Sequence, residues 1–263
     1  MFKIIKKRLA LLQKSNKPLV KESYIPDSND TFLVSYPKSG NTWVRFLIGN
    51  YLSGNQCNFT NSHLIVPDIH YNPNDISKIE KPRVIKSHHH FCSQYPRIIY
   101  LVRDGRDVAV SYYYHYLKYE KNPQLSFKEY VEKFNVGAVG FGLWSDHVKS
   151  WIDNRDLIDR DLLIKYEDIQ ENPFESLKRI IKFIGLPVDE EKIRSAVEAS
   201  RFDKMQTLER QQSSQVDLLA KSDTKLNFVR SGKSAQWKDF FTEEMSHSFL
   251  DIHGQALARL SYL

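Results

Sequence analysis

Residues 31–43, TFLVSYPKSGNTW, contain a lysine, two hydroxyl side chains, an amide and a glycine in five consecutive positions. An apolar β-type run precedes these five positions and an apolar helical pattern follows, which predicts a strand, a loop and a helix. The backbone N–H groups of residues 39–42 would then lie at the positive end of the helix and bind an anion. Gly40 lets the backbone approach that anion closely, and Lys38 adds a mobile positive charge. Because the lysine precedes the glycine, the stretch is not the usual phosphate loop G-x-x-x-x-G-K-[ST].

A second group of reactive side chains lies in KSHHHF, residues 86–91. Side chains alternate along a strand, so Lys86, His88 and His90 are predicted to share one face and His89 to point the other way. A neutral imidazole, with a pKa of about 6.5, can take a proton from a hydroxyl or an amine. Metal binding is the alternative for three histidines, but consecutive strand positions cannot converge on one ion, so we expect no metal.

A third candidate is Arg103, at the end of the apolar run in RIIYLVRDGRDVAVSYYYHY, residues 97–116. Ser111 follows one to two turns into the predicted helix, and the pair suits a doubly charged phosphate. Asp104 is placed to cap that helix. The alternative for Arg103 is an ion pair with Asp104 or Asp107.

Short apolar runs alternate with helical patterns along the chain. Strands are predicted over residues 31–36, 83–87, 97–102 and 161–166, and helices over 42–52, 106–118, 127–134, 173–184 and 190–200. Strands made of continuous Val, Ile and Leu are buried on both faces, which predicts a parallel sheet covered by helices. Ligands bind such sheets beyond the carboxyl ends of the strands, where the loop with Lys38 begins.

These elements predict one α/β domain over residues 1–263, with a basic, amphipathic extension at residues 1–25. Residues 204–229 are rich in Gln, Ser, Lys and Asp and predict a long mobile loop. In a compact domain such a loop is more often a lid than a linker.

The composition is that of an ordinary globular protein, with 41% hydrophobic and 27% charged residues. The net charge of +6 favours anionic ligands, but it does not distinguish nucleic acid, an acidic membrane and a small polyanion. The two cysteines, Cys57 and Cys92, are far apart in sequence and predict a reducing compartment. No stretch has the apolar length of a membrane span, and no secretory signal is evident, so we expect a cytoplasmic protein.

Several motifs resemble those of cytosolic-type sulfotransferases, which use 3′-phosphoadenosine 5′-phosphosulfate (PAPS). YPKSGNTW resembles that family's 5′-phosphosulfate loop, Y-P-K-[ST]-G-T-T-W, and residues 97–116 resemble its 3′-phosphate segment. FVRSGKSAQWKDFFT, residues 228–242, resembles the C-terminal motif R-K-G-x-x-G-D-W-K-x-x-F-T. KYEDI and IKSH are further landmarks in the right order, and the resemblance extends from residue 31 to about residue 245.

The resemblance implies a P-loop-NTPase-like fold and transfer of a sulfuryl group from PAPS to a hydroxyl or amine of a small-molecule acceptor. Adenosine 3′,5′-bisphosphate (PAP) would be the product. It assigns His88 as the general base, Lys38 to the leaving oxygen and Lys86 to the sulfuryl oxygens. By the same resemblance Ser111 restrains Lys38 until the acceptor arrives.

For the cofactor, Trp43 and Phe202 would sandwich the adenine and Tyr166 would contact the base edge, although core packing is the alternative for both sandwiching rings. The full set implied for cofactor binding is Lys38, Ser39, Gly40, Asn41, Thr42, Trp43, Arg103, Ser111, Tyr166, Ser200, Phe202, Arg230, Ser231 and Gly232. The sequence departs from the family at Asn41, where threonine is usual, at Ser231, where lysine is usual, and at Ala235-Gln236, where glycine-aspartate is usual.

Other functions fit parts of the sequence. A carbohydrate or lipid sulfotransferase of the same fold is the nearest alternative. A nucleotide kinase would need a lysine after the loop glycine, where Asn41 stands, and a nucleic-acid module would not explain the ordered motifs. We therefore expect no nucleic-acid partner. The acceptor and the choice between O- and N-sulfation stay open, because the loops that would set specificity carry no recognisable motif. The oligomeric state also stays open, because the family's dimer motif is only half present.

Overall fold

The computed structural model of the chain describes residues 24–71, 73–120, 123–223 and 225–263, so the predicted extension lies outside it up to residue 23. Its central sheet contains the parallel strands Thr31–Val34 (β1), Val84–Ser87 (β2), Arg97–Val102 (β3) and Arg160–Lys165 (β4). The spatial order of the strands is β2–β1–β3–β4. The predicted parallel sheet is confirmed, and each strand end lies within two residues of its predicted position.

The register brings the carboxyl ends of all four strands to one edge of the sheet. Val34 pairs with Ser87 on one side and with Tyr100 on the other. Val102 pairs with Lys165, so the chain leaves β3 and β4 side by side. The residues that follow each strand therefore converge at this edge.

Helices flank the sheet in the described part of the chain. The longer ones are Asn41–Ser53 (α1), Gly105–Tyr119 (α4), Phe127–Asn135 (α5), Trp144–Ile152 (α6), Pro173–Ile184 (α8), Glu190–Ala199 (α9), Phe202–Gln212 (α10) and Glu243–Arg259 (α12). The shorter ones are Ser62–Ile65 (α2), Pro73–Ile76 (α3), Tyr166–Glu171 (α7) and Asp217–Ala220 (α11), with 3₁₀ turns at Arg155–Leu157 and Gln236–Asp239.

Two hydrophobic cores cover the two faces of the sheet. Phe32 and Val34 of β1 belong to one core with residues of α4, α6 and α12, whereas Leu33 belongs to the other with residues of α1, α8 and α9. Alternate side chains of a strand point to opposite faces, so a central strand with both faces covered reads as a continuous apolar run. The resulting three layers are the predicted α/β domain.

Local signals fix the helix that follows β3. The Asp104 carboxylate accepts a hydrogen bond from the N–H of Arg106, so the predicted cap of α4 is confirmed. This cap fixes where the helix begins, with Arg103 just outside it and Ser111 on its second turn.

The predicted long loop over residues 204–229 is wrong in part, because α10 and α11 occupy much of it. Its action as a lid stays a prediction.

Candidate active site

The loop between β1 and α1 has an unusual backbone that glycine makes possible. Lys38 and Gly40 have positive φ angles of 71° and 99°. A Cβ atom built on Gly40 would lie 2.4 Å from Cδ2 of Tyr166, so the loop backbone packs directly on that ring. The N–H groups of the first turn of α1 have no partner within the helix and face this loop. The hydroxyl of Ser39 is buried with no partner among the described residues. The loop thus has the donors that an anion requires.

The side chain of Asn41 bonds to residues at the end of β1. Its side-chain amide donates to Oγ of Ser35 at 3.1 Å and to the carbonyl of Leu33 at 3.5 Å. The amide donors expected for an anion are therefore directed at the end of β1. The backbone N–H of Asn41 remains available, as does that of Thr42.

Lys38 lies in a positively charged environment. Its Nζ is 4.7 Å from the centre of the Phe228 ring. Burial and the neighbouring guanidinium groups of Arg103 and Arg230 lower the pKa of Lys38 to about 7. An anion bound beside this ammonium would offset the same repulsion and raise its pKa again.

Arg103 leaves the end of β3 and crosses to the C-terminal part of the chain. Its Nη2 donates to the carbonyl of Lys233 at 2.9 Å, and its guanidinium lies 4.3 Å from the centre of the Tyr166 ring. Nε of Arg103 is buried without a partner among the described residues. The alternative ion pair with Asp107 exists only at 3.8 Å. Asp107 instead accepts backbone hydrogen bonds that anchor the C-terminal motif.

The C-terminal motif is organised by a residue that the sequence did not assign to the site. Oε1 of Gln236 accepts from Nη2 of Arg230 and from Oγ of Ser231, both at 2.8 Å. Gly232 has a φ of 63°, and a Cβ there would lie 2.6 Å from the Phe202 ring. Gln236 stands where the resembled motif has aspartate, so the position was visible in the sequence but its role was not.

The three predicted anion motifs converge. Lys38, Ser111 and Arg230 line one narrow cleft, together with Tyr114 and Phe228. The Arg230 guanidinium lies 4.2 Å from the centre of the Tyr114 ring, which orients it along α4. Residues from three separate stretches of sequence therefore face the same small space with a net positive charge.

The rings assigned to adenine lie beside this cleft. Trp43 packs edge-on against Tyr166, with ring centres 5.7 Å apart, and Phe202 belongs to the same apolar cluster as Trp43. Ser200 is fully buried, and its carbonyl accepts from Nε1 of Trp43 at 3.1 Å. Ser200 thus fixes the orientation of Trp43, and a direct contact of Ser200 with a cofactor stays a prediction.

The histidine run departs from the expected strand geometry. β2 ends at Ser87, so the alternation predicted through His90 is wrong beyond that residue. His89 still turns inward, with Nδ1 2.7 Å from the hydroxyl of Tyr95, and burial lowers its pKa to about 4. His90 lies beside His147, with ring centres 5.2 Å apart.

His88 has a fixed tautomer. Its Nδ1 lies 2.7 Å from the backbone carbonyl of Ser35, and since a carbonyl only accepts, Nδ1 must carry the proton. Nε2 is left with a free lone pair. Burial, with the charge of Lys86 nearby, lowers the pKa of His88 well below its usual value. The imidazole is therefore neutral and has the form of a general base.

Two residues beside Lys86 and His88, namely Asp68 and His70, were not predicted from the sequence. Nζ of Lys86 lies 2.5 Å from Oδ2 of Asp68, and Nε2 of His70 accepts from the backbone N–H of His88 at 3.0 Å. Phe141, 40% exposed, lies with its ring centre 5.4 Å from that of His88. The segment that carries His70, after α2, and the segment that carries Phe141, after α5, thus both reach His88.

The described residues contain no group of three or more His, Cys, Asp or Glu side chains arranged to hold a metal ion. In the same part of the chain, no helix combines the length and the apolar character that crossing a membrane requires.

Comparison with known proteins agrees with this geometry. Residues 28–261 match the family model described as a sulfotransferase domain. Mouse sulfotransferase 1B1 is 31% identical over 257 residues, covering 90% of this chain and 85% of that relative. Mouse sulfotransferase 1 family member D1 is 32% identical over 249 residues, covering 87% and 83%.

Solved structures also match. The crystal structure of mouse sulfotransferase SULT7A1 complexed with PAP has a TM-score of 0.69 and 26% identity, covering 89% of this chain and 86% of that chain. Retinol dehydratase in a complex with retinol and PAP has a TM-score of 0.73 and covers 90% and 84% of the two chains. At 23% identity, the match to retinol dehydratase shows a similarity of fold alone.

Proposed function

The chain belongs to the sulfotransferase family, and we propose that it transfers the sulfuryl group of PAPS to a hydroxyl or amine of a small-molecule acceptor. The observation that supports this most directly is the convergence of Lys38, Ser111 and Arg230 on one cleft. His88 lies at the same edge of the sheet, after the neighbouring strand. Nucleotide binding and proton removal would therefore occur side by side.

The residues present fit the nucleotide. Ser39 Oγ and Arg103 Nε are buried polar atoms without partners in the described part of the chain, as expected where an anion supplies the missing contact. Gly40 and Gly232 lie flush against the Tyr166 and Phe202 rings, leaving no room for a side chain. We infer that the loop with Lys38 holds the 5′ end, that Arg103, Ser111 and Arg230 hold the 3′-phosphate, and that Trp43 and Phe202 enclose the adenine.

PAPS, when bound, supplies a sulfuryl group on a leaving phosphate oxygen. The bond from sulfur to the acceptor oxygen or nitrogen would form as the bond to that phosphate oxygen breaks. Lys38 would neutralise the charge growing on the leaving oxygen, and Lys86 would stabilise the sulfuryl oxygens. Electrostatics and positioning supply most of the catalysis in such a transfer.

His88 would take the acceptor's proton on Nε2. The Ser35 carbonyl binds the proton on Nδ1 and so keeps Nε2 free to accept a second proton. The same carbonyl stabilises the imidazolium once that proton has moved. His70 and Phe141, whose rings lie beside that of His88, would enclose the acceptor next to Nε2. We further propose that the protein acts in the cytoplasm, since both Cys57 and Cys92 are unpaired thiols.

Thermal unfolding with nucleotides tests the proposal. At about 100 times its dissociation constant PAP should raise the Tm by about 5–10 °C, and ATP with magnesium should raise it far less. Equal stabilisation by magnesium-ATP would favour the kinase alternative. A panel of phenols, alcohols, amines, sugars and lipids incubated with PAPS, followed by mass spectrometry, would then identify the acceptor class.

A further inference from the structure

Two oppositely charged side chains that the family resemblance does not assign to the site are buried next to each other, and one of them, Lys118, also lines the cleft with Lys38 and Arg230. Lys118, in the last turn of α4, and Glu209, on α10, are each only 5% exposed. Nζ of Lys118 lies 3.7 Å from Oε1 of Glu209. The attraction within a buried charge pair seldom offsets the cost of removing both charges from water. The hydrogen bonds that each charge makes to other groups must therefore offset part of this cost. We call Lys118 and Glu209 the charged clamp.

The Glu209 carboxylate binds backbone N–H groups of one extended segment. Its Oε1 accepts from the N–H of Phe228 at 2.5 Å, and its Oε2 accepts from that of Val229 at 2.8 Å. One turn earlier on α10, Nε2 of Gln206 donates to the carbonyl of Val229 at 2.9 Å. One face of this helix thus holds the backbone of residues 228–230.

The Lys118 ammonium binds the same segment from the other side. It donates to the carbonyl of Leu226 at 2.5 Å and to that of Asp223 at 3.1 Å. The backbone carbonyl of Lys118 also accepts from the N–H of Asp223 at 2.8 Å. Charged groups make stronger hydrogen bonds than neutral ones, so the charged clamp fixes four backbone groups with charge-assisted bonds.

The segment fixed in this way covers the nucleotide side of the site. Phe228 provides the ring beside the Lys38 ammonium, and Asn227 and Arg230 line the cleft that Lys38 and Ser111 also line. Glu209 and Lys118 touch the backbone on both sides of Asn227. Displacing residues 225–230 from the cleft would require both charges to lose their partners together.

We propose that Lys118 and Glu209 position residues 225–230 over the nucleotide cleft and thereby set the rate at which bound nucleotide leaves. The inference rests on the proposed function, because it takes the cleft between Lys38 and Arg230 as the nucleotide site. In enzymes whose loops close over a substrate, product release often limits turnover. A weakened clamp would therefore act on release before it acts on the chemical step.

Two conservative variants and one matched control test this role. Lys118→Met removes the ammonium and keeps an unbranched side chain, and Glu209→Gln removes the negative charge at nearly constant size. Lys221→Met loses the same charge from an exposed ion pair with Asp217 in the same region. Both clamp variants should release PAP about tenfold faster in stopped-flow displacement, with association changed less than about twofold. The two substitutions change the charge beside the cleft in opposite directions, so a purely electrostatic effect of Lys118 and Glu209 on PAP would speed release in one variant and slow it in the other, which would overturn the positioning role.

Steady-state kinetics separate positioning from a general loss of stability. The KM for PAPS should rise about tenfold in both clamp variants. Because faster release speeds a turnover that release limits, kcat should rise and not fall, and Lys221→Met should match the wild type. Clamp variants that melt at lower temperature but keep the wild-type release rate and KM would overturn the proposal and leave the proposed function intact. A wild-type protein that does not bind PAP would overturn the proposed function and the gating role together.

Hydrogen–deuterium exchange tests the clamp without relying on turnover. In the unliganded variants the amides of residues 225–230 should exchange faster than in the wild type, with the strands of the sheet unaffected. If neither variant folds, exchange in the wild type with and without PAP tests the proposal, because bound PAP should slow exchange at the amides of Phe228 and Val229. Unchanged exchange at these two amides would show that they are not coupled to the nucleotide.

Discussion

Nζ of Lys86 lies 2.5 Å from Oδ2 of Asp68, and both side chains are largely buried. An isolated parallel bridge between the same two residues aligns them at the edge of β2. Oδ1 of Asp68 accepts from the N–H of His70, and Nε2 of His70 accepts from the N–H of His88. Asp68 is thus the first of a chain of contacts that joins Lys86 to His88.

Asp68→Asn should make transfer sensitive to alkaline pH. Burial lowers the pKa of Lys86 and the charge of Asp68 opposes that shift, so the neutral amide should lower this pKa further. Since the proposed role of Lys86 requires a cation, kcat should begin to fall at a lower pH than in the wild type. Loss of the charged partner should also cost about 1–3 kcal/mol of unfolding free energy. A pH profile of kcat and urea unfolding measure the two effects.

The matched control is Asp27→Asn. The Asp27–Lys81 ion pair has the same 2.5 Å separation but is exposed, so its loss should leave the profile of kcat unchanged. If Asp68→Asn and Asp27→Asn gave the same pH profile, Asp68 would have no part in setting the charge of Lys86.

The sequence predicted two reactive groups, Lys86 and His88, but not the residues that contact them. Lys86 and His88 could be predicted because Lys86 lies near the end of a short strand, His88 follows that strand, and their spacing resembles a known motif. Asp68 lies 18 residues before Lys86 and reaches it only through a single bridge outside the regular strands. No periodic sequence pattern predicts such a bridge, so Asp68 and His70 could be identified only from the structure.

Binding of PAP should take up protons near pH 8. Without an anion the pKa of Lys38 is lowered to about 7, so its amine is mostly neutral at pH 8. A phosphate beside it raises this pKa and returns the ammonium, which removes a proton from the buffer. At pH 6 Lys38 is already charged, and its uptake should vanish. Calorimetry in two buffers of different ionisation enthalpy measures the uptake.

Lys38→Met is the control for that measurement. It should abolish the Lys38 share of the uptake and lower kcat about 10²–10³-fold, more than it weakens PAP binding, because the leaving charge grows only in the transition state. Proton uptake that persists unchanged in Lys38→Met would assign the titration to another group.

Gly40→Ala should impair nucleotide binding through a steric contact. Its Cβ would lie 2.4 Å from the Tyr166 ring, and the positive φ adds a backbone cost of about 1–2 kcal/mol. Gly54→Ala shares the positive φ but meets nothing within 4 Å. Both variants should lose stability in urea unfolding, but only Gly40→Ala should lose PAP affinity in calorimetry. A Gly54→Ala variant that lost affinity equally would attribute the effect to backbone strain alone.

Helix α10 shows why part of the fold could not be predicted. The helix Pro173–Ile184 was predicted with correct ends because an apolar stripe lies between a proline at its start and Gly185 at its end. In α10 the buried residues are Met205 and Glu209, which give no apolar stripe. Its polar side chains instead bind backbone groups of residues 228–230, and a contact between segments so far apart in sequence leaves no local signal.

The three consecutive histidines, His88, His89 and His90, should respond differently to replacement by alanine. His88→Ala should lower transfer to an alcohol about 10²–10⁴-fold, because Nε2 no longer accepts the proton, while PAP binding stays unchanged. His89→Ala should act on stability, since His89 bonds to the buried Tyr95. His90→Ala should alter acceptor KM more than kcat. Rapid-quench transfer assays and PAP calorimetry on all three variants make the comparison.

Both the pH and the acidity of the acceptor should affect transfer in a way that identifies His88 as the base. A general base works when deprotonated, and the pKa of His88 is well below its usual value, so kcat in the wild type should not fall until well below pH 6.5. The loss in His88→Ala should shrink for an acidic phenol, which is already deprotonated at the working pH. If His90→Ala proved inactive and His88→Ala kept normal turnover, the base would be His90, and the tautomer fixed by the carbonyl of Ser35 would have no catalytic meaning.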